Sequence, residues 1–182
     1  MADAMPGAAT PSCSQTEAAA LRRLPRAAQF VFRGDDAAAS EAGRLFGVPL
    51  PTAPCRSAVQ GARAALWQGP DEWLLVGPAD EEAALEAALQ AGLADLPHAL
   101  VGVGHRNAML ELAGPRAADM LNAGCPLDLD EAAFPPGACS RTILARAPIL
   151  LWRTGRECFT VGAWRSFMPY VWDFLTEARE RL

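Results

Sequence analysis

Lysine is absent from this chain: all sixteen Lys+Arg positions are arginine. Schiff-base chemistry on a lysine amine and a P-loop lysine on a nucleotide phosphate are therefore excluded. Histidine is nearly as scarce, with only His98, expected in a solvated loop after Pro97, and His105. The five cysteines, Cys13, Cys55, Cys125, Cys139 and Cys158, never form a C-x-x-C pair, which argues against structural zinc. Positive charge is not in excess either. A net charge of −5 argues against nucleic acid as a partner, since such binders carry a basic face. No uninterrupted apolar run approaches the roughly 18 residues of a membrane span, so no membrane partner is expected. The expected location is cytoplasmic, with reduced cysteines.

What is present suits globular packing: 51% of residues are hydrophobic and 20% charged. Residues 1–16 are small and polar, and residues 1–20 are expected to form a disordered tail. After it, Gln29–Arg33 reads as a strand. Asp35 or Asp36 can N-cap a helix to Phe46, with Gly47 as its left-handed stop. Val48–Ser57, with three prolines, is a surface connection. Ala64–Trp67 and Trp73–Val76 flank the turn signal Gly69-Pro70-Asp71 and form a hairpin. A helix from Asp80 to Gly92 carries Leu85 and Leu89 on one stripe, and Ala99–Val103 is the next strand. Residues 21–104 thus give β-α-β-β-α-β, the ferredoxin-like order.

Residues 105–182 are expected to form a second α+β subdomain of order β-α-β-β-β-α. Met109–Ala113 is its first strand, and Pro115 opens a helix that stops near Gly124. Thr142–Ala145, Ile149–Trp152 and Cys158–Val161 form a meander, in which the alternating Cys158–Val161 is expected to have one wetter face. Ser166 caps a last helix with Phe167, Val171, Phe174, Leu175 and Ala178 on one stripe. The expected class is α+β, two small antiparallel-sheet subdomains packed together.

Between helix and meander lies an unusually specific connection. Cys125, Pro126, Leu127, Asp128 and Leu129, then Phe134 and Pro135, are too apolar and too rigid for a solvent loop. They serve either the chain's own core or a partner surface. Cys125 sits past a helix C-terminus, the wrong end to stabilise a thiolate. Asp128 and Asp130 are placed to pair with Arg141. His105, Arg106 and Arg141, with Arg153, are the weak candidates for a folate site, against the plainer reading of surface ion pairs. No catalytic or metal-ligating constellation emerges, and Gly102-Val103-Gly104 does not continue into a dinucleotide fingerprint.

Several segments stand in a recognisable order: Gln68–Val76, Gly104-His105-Arg106, Leu112–Pro115, Gly124–Leu129, Phe134–Gly137, Arg141-Thr142, Leu151–Arg153, Ser166-Phe167 and Tyr170–Trp172. This series resembles the gamma-subunit family of heterotetrameric sarcosine oxidases. More distantly it is similar to the folate-binding part of the glycine-cleavage T protein. The resemblance implies a complex that demethylates sarcosine to glycine and passes the one-carbon unit to tetrahydrofolate. It places FAD, FMN, NAD and zinc on other subunits, with alpha, beta and delta subunits as partners. It supplies no catalytic residue to this chain, whose expected role is assembly, and which is expected to self-associate when isolated. The alternative it leaves is a stand-alone folate- or pterin-binding module.

Overall fold

The computed structural model describes residues 19–181. The expected tail falls almost wholly outside them, but Ala19 is buried and Ala20 already begins a strand.

The chain folds as two compact units, one built from residues 26–105 and the other from residues 106–181 together with the described residues up to Pro25. In the first unit, β2 (Ala28–Gly34) leads into α1 (Asp36–Phe46). The Asp35 carboxylate accepts from the Ala38 amide at 2.9 Å, and Gly47 ends the helix at φ 79°. β3 (Ser57–Gln60), β4 (Arg63–Gly69) and β5 (Glu72–Gly77) follow. A 3-10 turn over Ala79–Glu81 runs into α2 (Glu82–Gly92), and β6 (His98–Gly102) closes the unit. The antiparallel sheet has the order β3-β4-β5-β2-β6. Without β3 this is the ferredoxin-like arrangement that the sequence suggests. Phe30, Phe32, Trp73 and Leu75 cover one face of the sheet. They pack with Ala38, Ala42 and Phe46 of α1 and Leu85 and Leu89 of α2.

The second unit is a sheet of order β1-β7-β10-β9-β8. Its strands are β1 (Ala20–Arg23), β7 (Asn107–Ala113), β8 (Cys139–Leu144), β9 (Ala147–Gly155) and β10 (Cys158–Trp164). The expected meander β8-β9-β10 is present, and β7 lies beside β10 along the full length of both strands. Helices α3 (Ala117–Asn122) and α4 (Met168–Glu180) supply the rest of the core. Leu110, Leu112, Phe159, Val161, Leu151 and Ile149 pack there with Met120, Leu121, Val171 and Leu175.

Four details differ from the sequence reading. Residues 20–23 do not begin the first subdomain: β1 pairs with β7, Leu21 opposite Leu112. Four residues with two exposed arginines give no alternating signal, so the pairing is set by the edge β7 leaves open. Ser166 caps nothing; Phe167 is the residue before α4, and its amide bonds the Trp164 carbonyl at 2.8 Å. Pro115 lies ahead of α3, not at its first position. Thr160, on the strand expected to have a wetter face, is 5% exposed.

Candidate functional site

The connection from Cys125 to Ala138 is anchored to its own unit. Cys125, Leu129, Phe134 and Ala138 are all buried in the core cluster, and Leu127 packs against it. Pro126 and Asp128 stay exposed and Pro135 is half-buried. Of the two roles open to this segment, the apolar side chains therefore serve the chain's own core. Cys125, Leu129 and Phe134, offered as interface residues by the sequence, are thus buried in the chain's own core. They are hydrophobic enough to be drawn inward, where full burial of each large side chain contributes roughly 1.5–3 kcal/mol.

Backbone bonds shape the segment. The Asp128 carboxylate accepts from the Asp130 amide at 2.9 Å and the Asp130 carboxylate from the Ala132 amide at 2.9 Å. Both aspartates thus tie the loop to itself, as Asx turns do. Gly137, at φ 85°, donates its amide to the Arg153 carbonyl at 2.8 Å, and the Arg153 amide donates to Ala138 at 2.9 Å.

The centre of the arrangement is Arg153 on β9, 5% exposed. One terminal nitrogen donates to the carbonyls of Leu129 (3.2 Å) and Phe134 (2.7 Å). Nε donates to the carbonyls of Gly155 (3.3 Å) and Arg156 (3.1 Å), and the other terminal nitrogen bonds Arg156 as well. The guanidinium lies 5.0 Å from the Phe159 ring centre. A buried charge is retained only when its donors are satisfied. Here backbone carbonyls satisfy them on both sides, so the group is a clamp. Its donors are engaged by the backbone, and its side chain borders a cleft beside the clamp.

Of the weak folate candidates, Arg153 is the clamp itself, and the others are not gathered around it. His105 and Arg106 are exposed in the turn between β6 and β7. Arg141 lies on β8, separated from β7 by β9 and β10, about 14 Å away at the usual strand spacing. His98 is better placed than its expected solvated loop. It begins β6, is half-buried, bonds the Leu96 carbonyl through Nδ1 at 2.9 Å and stacks on Phe32. The cleft beside the clamp, of about 410 Å³, is lined by Asp119, Asp128, Asp130, Glu131 and Glu157, which outnumber the two arginines there, Arg153 and Arg156. Such a lining repels a carboxylated ligand. An open groove of about 880 Å³ in the first unit is lined by Pro49, Leu50, Trp67 and Trp73, and none of the folate candidates borders it.

Two other features stand out. On the β1-β7-β10 surface, the buried Glu111 carboxylate accepts from Arg22 at 3.0 Å. Near them, burial pushes the Cys158 thiol pKa up; a hydrogen bond involving Thr154 opposes this more weakly, and the Glu111 charge adds to it. With the folded value above the unfolded one, the associated stability is fully present below the unfolded thiol's pKa. It is lost as pH rises through the folded value. Iodoacetamide should accordingly label the exposed Cys55 first and Cys158 far more slowly at neutral pH, as peptide mass spectrometry would read. Equal rates would contradict this assignment.

The second feature is a row of aromatic rings. Trp164 and Phe167 have ring centres 6.0 Å apart, and Tyr170 and Phe174 lie 6.5 Å apart on α4. The Arg106 guanidinium sits 5.4 Å over Trp164. Trp164 is 49% exposed and Tyr170 40%. Among the described residues no cluster of His, Cys, Asp and Glu is arranged to hold a metal ion, and no helix is long and apolar enough to cross a membrane.

Comparison with solved structures defines the class first. The glycine cleavage system aminomethyltransferase T from Bartonella henselae superposes with a TM-score of 0.66, covering 87% of this chain and 45% of that one. At 15% identity this shows the fold alone: an α+β domain of the T-protein type. A chain of the heterotetrameric sarcosine oxidase from Corynebacterium sp. U-96, solved with pyrrole 2-carboxylate, superposes with a TM-score of 0.84 at 31% identity. The match covers 90% of this chain and 84% of that one. The sarcosine oxidase subunit gamma of Corynebacterium sp. strain P-1 is 37% identical over 132 residues, 72% of this chain. The match spans 64% of that relative's length. Residues 33–181 match the family SoxG, sarcosine oxidase, gamma subunit. The chain belongs to the sarcosine oxidase gamma subunit family.

Proposed function

We propose that this chain is the gamma subunit of a heterotetrameric sarcosine oxidase and acts there as a scaffold on which the complex assembles. The observation that carries the reading is the family match over residues 33–181, joined to the likeness to a chain of an assembled heterotetramer. In this reading the alpha, beta and delta subunits hold FAD, FMN, NAD and zinc. They convert sarcosine to glycine, passing the one-carbon unit to tetrahydrofolate, in the cytoplasm. The contribution of this chain is a rigid surface. The connection at 125–138 supports that role from within, because its polar groups and the Arg153 guanidinium are directed at one another.

Co-expression with the three other subunits should give a single complex on gel filtration, and omitting this chain should abolish that complex. A chain that elutes alone, with sarcosine oxidation unaffected by its loss, would sink the proposal. Calorimetry of the isolated chain with tetrahydrofolate should show no heat at millimolar ligand, given the predominantly acidic lining of the cleft beside the clamp. Saturable heat in that experiment would favour the folate-binding alternative instead.

A further inference from the structure

Helix α4 carries two apolar stripes. Met168, Val171, Leu175 and Ala178 are buried in the core. Phe167, Tyr170 and Phe174 follow one another at spacings of three and four, and so share a second face. Trp164 extends that face beyond the helix start, giving an aromatic ridge. Its rings form two pairs, in each of which a half-buried Phe, packed on the core, backs an exposed Trp or Tyr. Val59, Val101 and Ile143 are also exposed, but each is a single aliphatic side chain on a different edge strand. Scattered exposed aliphatics are ordinary; grouped Trp and Tyr beside Arg are the composition of an interface hot spot.

Charge narrows the occupant. Arg106 covers Trp164, and the Arg165 amide bonds the Arg106 carbonyl at 2.8 Å. Arg22, Arg26, Arg33 and Arg63 are each paired with a carboxylate. Among the described residues Arg23, Arg106, Arg146, Arg165 and Arg179 have no such partner, and of these Arg106 and Arg165 lie beside Trp164. These two form an unneutralised cationic head on the ridge of a chain whose net charge is −5. A two-fold self-contact centred on Trp164 brings this cationic pair against its own copy, which disfavours a second copy of the chain as occupant.

We propose that the ridge Trp164–Phe167–Tyr170–Phe174, headed by Arg106 and Arg165, is the surface that docks on a carboxylate-bearing face of a cofactor-carrying partner subunit. The proposal rests on the scaffold reading above and locates its interface. The exposed rings of Trp164 and Tyr170 enter apolar pockets of the partner, backed by Phe167 and Phe174, and the two guanidinium groups meet its carboxylates at the rim.

The test uses the complex reconstituted from all four subunits, with affinity measured for wild type, Trp164→Ser/Tyr170→Ser, Arg106→Gln and Val59→Ser/Val101→Ser. The aromatic double variant should bind at least about 30-fold more weakly. It should keep the wild-type melting temperature, because both side chains are already partly solvated. Arg106→Gln should slow association and flatten its salt dependence. The valine variant should stay within about threefold of wild type. If wild type itself fails to bind, the scaffold reading falls. If wild type and the aromatic variant bind equally, the ridge assignment falls while the scaffold reading stands. Loss of self-association with assembly intact would likewise overturn the assignment, by making the ridge a contact between copies.

Discussion

Replacing Arg153 with methionine should lower the unfolding free energy by about 4 kcal/mol, read as a shift in urea midpoint at unchanged slope. Two effects oppose one another. Removing a buried charge relieves a desolvation penalty, and substituting every partner at such a site with apolar groups is often neutral or stabilising. Here the partners are main-chain carbonyls and remain after the substitution. The acceptors at Leu129 and Phe134 lie in the buried part of the clamp. Each one left unsatisfied costs about 1–3 kcal/mol. Methionine matches the arginine stem, so little packing is lost and the missing hydrogen bonds dominate. Lysine should recover only part of the stability, because an ammonium cannot span both the 129/134 and the 155/156 carbonyls as the planar fork does. Amide exchange should rise first over residues 125–138. A methionine variant as stable as wild type would show that the clamp contributes nothing.

Phe46→Ala in the first unit should lose about 3–5 kcal/mol in the same measurement. The ring is fully buried at the end of α1. Arg63 lies over it at 5.7 Å and donates to the Phe46 carbonyl at 2.7 Å, while also pairing with Glu81 at 2.6 Å. That tether holds the helix end in place and prevents the emptied space from closing, which sets the cost at the upper end of the range. Phe46→Leu should lose less than about 1.5 kcal/mol, since it leaves most of the volume filled. Similar losses for both substitutions would show that the site collapses freely.

How much of this was legible depended on the kind of signal. The first sheet announced itself: the apolar Phe30-Val31-Phe32 run, the Gly69-Pro70-Asp71 turn and the Gly47 stop give strand, hairpin and helix end almost residue for residue. The meander was equally readable from Ile149–Trp152 and its neighbours. β1 and β3 were not, because four-residue edge strands bond on one side and carry too few residues to show a period. On α4, Val171, Leu175 and Ala178 were correctly assigned to the core. Phe167 and Phe174 lie on its half-buried shoulder, which period counting alone does not separate. Arg153 was read only as a weak folate candidate, and its role as a clamp was missed. Its partners are carbonyls, present at every residue, so no pattern of side chains signals a buried guanidinium clamp. The exposure of Trp164 was hidden for a related reason, since tryptophan looks the same in a sequence whether it faces the core or solvent.

The pairing of β1 with β7 also bears on how the chain is made. Arg22 and Glu111, joined across these strands, are 89 positions apart, and the whole first unit is synthesised between them. On the ribosome that unit can complete its own sheet while β1 still waits for a neighbour. Closing so long a loop is slow, because its entropy is lost before the contacts form. During that interval β1 is an unpaired strand able to stray to other chains. The charged side chains of Arg22 and Arg23 are the sort of gatekeepers that keep such a strand solvated until its partner emerges.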